Sequence, residues 1–396
     1  MRLLAAKSPF RTEHATEKSV SSESVANLDC QLGLCVAAPT DLRGFIEQLD
    51  CSAQLRHIAR QVDWKYELGD LTRTELAPLL FENVKDYPGL RVFTNGLIGI
   101  GAIATALGLP ANSHRKDLVR ELRARLSVPM APKHLQTSAV FENVWNQPQI
   151  DLLKLPVPWW NKADGGRYIG TWHVNVSRDP EDGSYNLGVY RMQVLSAKQA
   201  TISTSPKSHL GIQFAKAEAH GKPLEVAVVI GASEAVFIAA AAGYPCGKDE
   251  YELAGALQQQ SVDLVKCQSI DVSVPANSEI VVEGFLHPGV RVPDGPYFDY
   301  AGKATSNPRA YLFEAVRLGF RNHPIFRGAI VGHPQAEDIQ LFSLLSEVGL
   351  FDFHGSRLRR ALQILFLKEG FFRAFQFAGR IGPAVLRRKP EKPSDE

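Results

Sequence analysis

Along the chain the period of the apolar positions changes several times, and each change marks an element. Leu42, Phe45, Ile46 and Leu49 form one helical stripe, with Thr40 or Asp41 placed to cap it. Short apolar runs over residues 78–84 and 90–94 predict buried strands, the second ending at Asn95-Gly96. Residues 113–136 predict a charged helix (Asp117, Arg120, Glu121, Arg123, Arg125) and then a linker broken by Pro129 and Pro132, the best early domain boundary. Between residues 169 and 303 strand signals dominate, at 171–177, 188–196, 224–230, 261–266 and 278–285. Only three helical stretches interrupt them, at 208–220, 233–242 and 249–257. That balance predicts a barrel-like or sandwich β domain with inserted helices.

The two ends differ from the middle. Residues 1–38 are rich in Ser, Thr, Ala and Glu without sustained period and are expected to form an unstructured extension. Residues 351–389 carry Arg357, Arg359, Arg360, Lys368, Arg373, Arg380, Arg387, Arg388 and Lys389 among Leu and Phe, which predicts a basic amphipathic helix pair before a polar tail. The expected division is 1–38, 39–128, 129–335 and a basic helical segment at 336–396.

Composition narrows the class. At 396 residues, 45% apolar and 22% charged, the chain can build a sizeable core of ordinary soluble type. Its net charge of +2 offers no basic excess for displacing counterions, which argues against nucleic acid as an obligatory partner. The five cysteines form no CxxC pair and no disulfide-framework spacing, so a reducing, cytoplasmic compartment is expected. No apolar run approaches the ~18 residues of a membrane span. Residues 1–10 hold Arg2 and Lys7 without a secretory apolar core, and Glu13, Glu17 and Glu23 follow, so the extension is read as untargeted.

Three patterns carry candidate chemistry. Gly99-Ile100-Gly101-Ala102-Ile103-Ala104 matches a dinucleotide fingerprint after a strand, but its helix is short, Pro110 stops it and no βαβ train continues. Helix–sheet packing is therefore the expected reason for these glycines, and a nicotinamide site is the minor reading. The stretch Tyr185-Asn186-Leu187-Gly188-Val189-Tyr190-Arg191 joins an amide, a glycine, a phenol and a cation in one strand-like run. A regular strand would aim Asn186 and Arg191 at opposite faces, so a break at Gly188 is needed if they share a site. Asn186, with His209 and Glu250 each opening a helix, could make an amide–imidazole–carboxylate site for a hard cation such as Mg or Mn. In Asp294-Gly295-Pro296-Tyr297-Phe298-Asp299 two carboxylates flank a turn that could bring both to one cavity, one poised as proton donor and the other as structural partner.

Taken in order, Asn-Leu-Gly-Val-Tyr-Arg (186–191), Val-Lys-Cys (265–267), Val-Pro-Ala-Asn-Ser-Glu-Ile-Val-Val-Glu-Gly (274–284) and Asp-Gly-Pro-Tyr-Phe-Asp (294–299) resemble the UbiD family of reversible decarboxylases. The likeness runs from about Asp41 to Asp338 and includes the Asp41-Leu42-Arg43 helix opening. It implies an α+β fold: an N-terminal α/β domain, a central split β-barrel of flavin-reductase type with inserted helices, and a C-terminal α/β oligomerisation domain, of which this chain would keep a residual helical C-terminus. It implies prenylated FMN, held through its phosphate by Mn (or Mg) with a K ion nearby. By motif position Asn186, His209 and Glu250 are the metal ligands, while Val189, Tyr190, Arg191, Leu210 and Gly211 contact the cofactor. Arg191 would orient the substrate carboxylate, Asp299 would donate the proton, and Asp294 would complete their network.

The implied activity is non-oxidative decarboxylation of an aromatic or α,β-unsaturated carboxylic acid. An Asp donor leans towards 3-polyprenyl-4-hydroxybenzoate in ubiquinone synthesis, with a flavin prenyltransferase supplying the cofactor and a homo-oligomer as the working form. Three departures stand against the family pattern. Asp294 replaces the usual Glu, the Ser205-Pro206-Lys207 stretch before His209 differs, and the basic segment after Leu350 does not match the relatives' longer C-terminal domain. A shortened or altered member is expected. The rival reading is a catalytically silent relative whose basic segment binds a partner or an anionic membrane surface.

Overall fold

The computed structural model describes residues 37–350, apart from 246 and 300–301. The extension at 1–36 and the basic segment at 351–396 lie outside the described residues.

The chain opens as the apolar stripe predicts. Helix Leu42–Cys51 buries Leu42, Phe45, Ile46 and Leu49, and Asp41 caps it by accepting from Gly44 N at 2.8 Å. Arg43 on its other face pairs with the fully buried Glu279 through Nε (2.7 Å) and Nη2 (2.9 Å), tying the first helix to the central sheet. A four-stranded sheet follows, in the order Arg56–Ile58, Leu79–Phe81, Arg91–Thr94 and Ile325–Arg327. Its last strand pairs in parallel with Arg91–Thr94, so the chain returns to the N-terminal layer after completing the central sheet. Local sequence could not show this, because a three-residue strand carries no partner information.

The large sheet has seven antiparallel strands. Its path runs Gln199–Ile202, Ala304–Phe320, Ile280–Phe298, Leu224–Ile230, His173–Arg178 and Tyr185–Gly188, with Asn143–Asn146 paired to the far end of Ala304–Phe320. Register shifts interrupt the two long strands at four places, and the sheet curls into a half-barrel whose end strands do not pair with each other. Helices His209–Ala219, Glu234–Ala241 and Glu250–Gln258 are the expected insertions. The expected turn at 294–297 proves to be part of the long strand Ile280–Phe298, whose alternation is broken between Asp294 and Tyr297.

The glycine-rich helix Gly99–Ala106 has its N-terminus occupied by the protein itself. Glu337 accepts from Leu97 N (2.9 Å) and Gln340 from Gly99 N (2.7 Å), while a side chain at Gly101 would meet Ala111 O at 2.9 Å. Those glycines serve packing, and Glu337 and Gln340 already occupy the entrance that a pyrophosphate would need.

Candidate active site

Beside the half-barrel lies a cavity of about 620 Å³, within the usual range for a small-molecule site. Asn186, Val189, Tyr190, Arg191, His209, Glu250 and Asp299 all line it. The break that brings Asn186 and Arg191 together falls at Gly188. There the edge strand Tyr185–Gly188 ends, and the chain next pairs as Met192–Gln193 with Tyr168–Gly170 in a separate small sheet. A Cβ at Gly188 would lie 2.4 Å from the Tyr190 ring, so the glycine gives that ring room to fold back over the strand end.

His209 and Glu250 are each the first residue of a helix, fixed by caps on the preceding residue. Ser208 accepts from Gly211 N (3.1 Å) and Asp249 from Tyr251 N (2.8 Å). His209 Nδ1 stands 3.7 Å from Glu250 Oε1, and Glu250 Oε2 accepts from Leu187 N at 3.3 Å, next to Asn186. Asn186 is 2% exposed; its Nδ2 donates to Ser177 Oγ (3.2 Å), while its Oδ1 is buried without a hydrogen-bond partner. A buried amide oxygen left over beside an imidazole and a carboxylate is the arrangement expected of a cation site. Among the described residues no three His, Cys, Asp or Glu side chains make such a cluster, so the amide is essential to the set. Burial raises the pKa of the Tyr190 phenol, partly offset by the Leu210 backbone and the Asn186 and Ser208 side chains. Leu210 and Gly211 do not line the cavity. The Leu210 side chain is in the core, and a Cβ at Gly211 would press on Ser205 O at 2.4 Å.

Arg191, Asp294, Thr305 and Asp299 form a chain of hydrogen bonds. Arg191 Nε donates to Asp294 Oδ1 at 2.7 Å and Nη1 to Thr305 Oγ1 at 2.8 Å; Thr305 Oγ1 donates to Asp299 Oδ2 at 2.7 Å. Asp294 is fully buried and also accepts from Thr201 Oγ1 (2.7 Å), which leaves it a holder of Arg191 and keeps it off the cavity wall. Thr201 and Thr305 were not legible in sequence, since a threonine in a strand is ordinary. Beneath the site His173 is buried, its Nε2 bonded to Asn175 Oδ1 (2.9 Å), which also accepts from Tyr190 N (3.3 Å). Burial holds this imidazole neutral, pushing its pKa down to about 4. Part of the lining is apolar and aromatic: Trp172 and Phe237, which stack at 3.9 Å, and Leu341 and Phe342.

Residues 133–334 match the family described as 3-octaprenyl-4-hydroxybenzoate carboxy-lyase Rift-related domain (UbiD), and residues 46–122 match its N-terminal domain. The chain belongs to the UbiD family. It is 33% identical over 328 residues to the pyrrole-2-carboxylic acid decarboxylase of Pseudomonas aeruginosa, covering 79% of this chain and 66% of that protein. It is 31% identical over 310 residues to the phenolic acid decarboxylase of Streptomyces sp., covering 75% and 65%. The chain thus spans about 66% of the length of such curated UbiD relatives. Among solved structures, an evolved dimeric form of the UbiD-class enzyme HmfF from Pelotomaculum thermopropionicum in complex with prFMN superposes with a TM-score of 0.73 at 32% identity, over 78% of this chain and 71% of that one. The vanillic acid decarboxylase of Sedimentibacter hydroxybenzoicus in closed form gives 0.75 at 31%, over 78% and 68%.

Proposed function

We propose that this chain is a decarboxylase of small aromatic or α,β-unsaturated carboxylic acids that works with prenylated FMN. The observation that carries the reading is the Asp294–Arg191–Thr305–Asp299 chain reaching the same cavity as the orphaned Asn186 oxygen. Loss of CO2 leaves an electron pair on the substrate carbon, and the bound flavin supplies the sink for it. Arg191, held in place by Asp294 and Thr305, receives the substrate carboxylate. Asp299 delivers one proton to the vacated carbon, becomes a carboxylate, and is reprotonated from solvent before the next turnover. The aromatic and aliphatic wall excludes water from the developing charge.

Asn186, His209 and Glu250 would hold a divalent ion, Mn or Mg, that helps anchor the cofactor, and Val189 and Tyr190 would contact the flavin. A nearby K ion, a homo-oligomeric state, cofactor supply by a flavin prenyltransferase, a cytoplasmic location and a hydroxybenzoate substrate of ubiquinone synthesis belong to the same reading. So does the division into an N-terminal α/β unit at 39–128, a flavin-reductase-like barrel at 129–335 and a C-terminal segment at 336–396. The test is reconstitution with prenylated FMN and Mn, followed by CO2 release from a panel of aromatic and unsaturated acids. Release from at least one acid, with Glu250→Gln losing bound flavin and Mn, is expected. Full flavin occupancy without release from any acid would favour a silent relative.

A further inference from the structure

The cavity holds one charged group with no part in the account above. Asp338, in the first turn of helix Glu337–Val348, lines the cavity and is 4% exposed. Its Oδ2 accepts a long 3.3 Å hydrogen bond from Gly332 N, whereas Oδ1 is buried with no partner. The nearby lining in sequence is apolar: Val331 before Gly332, and Leu341 and Phe342 on the same helix. Its neighbour Glu337, by contrast, is fully satisfied, so Asp338 is the odd acid of the pair. Glu337 takes Arg327 at 2.9 and 2.6 Å and accepts from Asn95 N (3.0 Å) and Leu97 N (2.9 Å). A buried acceptor with one oxygen unsatisfied is unfavourable unless the carboxyl takes up a proton or a ligand brings a donor.

Arg191 is already assigned to the substrate carboxylate, so the donor that meets Asp338 lies elsewhere on the substrate. We propose that Asp338 is a specificity-determining residue that accepts a hydrogen bond from a ring N–H or O–H of an aromatic acid substrate. The inference rests on the decarboxylase reading and narrows it to heteroaromatic and phenolic acids. Tyr297 and Glu337 are the titratable groups whose charge couples to Asp338, from the long strand and from its own helix. Burial, reinforced by Glu337, pushes the Asp338 carboxyl up to about 7, so its acceptor strength grows as pH rises through neutrality.

The test uses the flavin-loaded full chain and matched acids: 4-hydroxybenzoate and 3-hydroxybenzoate against benzoate, and pyrrole-2-carboxylate against furan-2-carboxylate. Binding is read by calorimetry and turnover by CO2 release. The parent should prefer the donor-bearing member of at least one pair by about 10- to 100-fold in Kd or kcat/KM, the scale of a hydrogen bond to a charged group. Asp338→Val should bring that ratio close to one while leaving benzoate or furan-2-carboxylate affinity within about threefold, and Asp338→Asn should retain part of it. Thermal melts confirm that both variants fold. A preference that survives in Asp338→Val overturns the proposal, as does a parent that processes both members of every pair equally, in which case the decarboxylase reading stands. A parent that binds none of these aromatic acids with full flavin occupancy also overturns the proposal, whereas the decarboxylase reading falls only if no acid of the wider aromatic and unsaturated panel releases CO2.

Discussion

Two arginines in this molecule each sit between carboxylates, and their surroundings give them different work. Arg327 bridges Glu234 (2.8 Å) and Glu337 (2.6 Å), with all three side chains at most 2% exposed. Trp172 Nε1 donates to the second Glu234 oxygen at 2.9 Å, and backbone N–H groups fill Glu337. That cluster is closed: it locks helices Glu234–Ala241 and Glu337–Val348, both of which contribute to the cavity wall. Arg191 is paired on one side by Asp294, but its side chain keeps 16% exposure and lines the cavity with Asp299. Ion-pair chemistry alone does not mark a site; the side left open to a ligand does.

The comparison can be broken at the closed cluster first. Arg327→Leu would leave two carboxylates buried against each other, and a loss of about 3–5 kcal/mol is expected in denaturant unfolding. An unchanged midpoint would mean that Glu234 simply takes up a proton in the fold, a response burial already favours by raising its pKa. Asp338→Asn should act in the opposite direction. The folded carboxyl titrates at about 7 against an ordinary 3.8, so ionising it is harder in the fold and stability falls as pH rises between those values. The Asn variant should therefore match the parent near pH 4 and exceed it at pH 8 by about 2–4 kcal/mol, read as melting temperature against pH. A pH-independent difference would remove the buried-acid assignment. Gly188→Ala should have the smallest effect, about 1–3 kcal/mol, as the new methyl displaces the Tyr190 ring. Flavin retention should fall with it; normal retention would show that the ring's position is not needed.

Much of this was readable from residues, and the unreadable part has a common cause. The first helix, its Asp41 cap and its four buried apolar residues follow from periodicity, as does the strand Leu224–Ile230. Ordered motifs singled out Asn186, Arg191, His209, Glu250 and Asp299, which the fold brings to one cavity. Pairing across long sequence gaps was not readable: Ile325–Arg327 joining Arg91–Thr94, or Thr305 linking Arg191 to Asp299. Asp338 was hidden for another reason. Beside Glu337 it looks like ordinary acidic decoration of a helix N-terminus, and only burial separates the paired acid from the unsatisfied one.

The most direct measurement of the central claim is made on Asp299→Asn, loaded with prenylated FMN and Mn and assayed on an acid the parent accepts. Turnover should fall by about 10²- to 10⁴-fold while flavin occupancy and melting temperature stay at parental values, because only the proton donor is lost. Product formed in D2O by the parent should carry one deuterium at the vacated carbon. A fully loaded Asp299→Asn that releases CO2 and incorporates deuterium as fast as the parent would contradict the account, leaving Asp299 a structural residue held by Thr305.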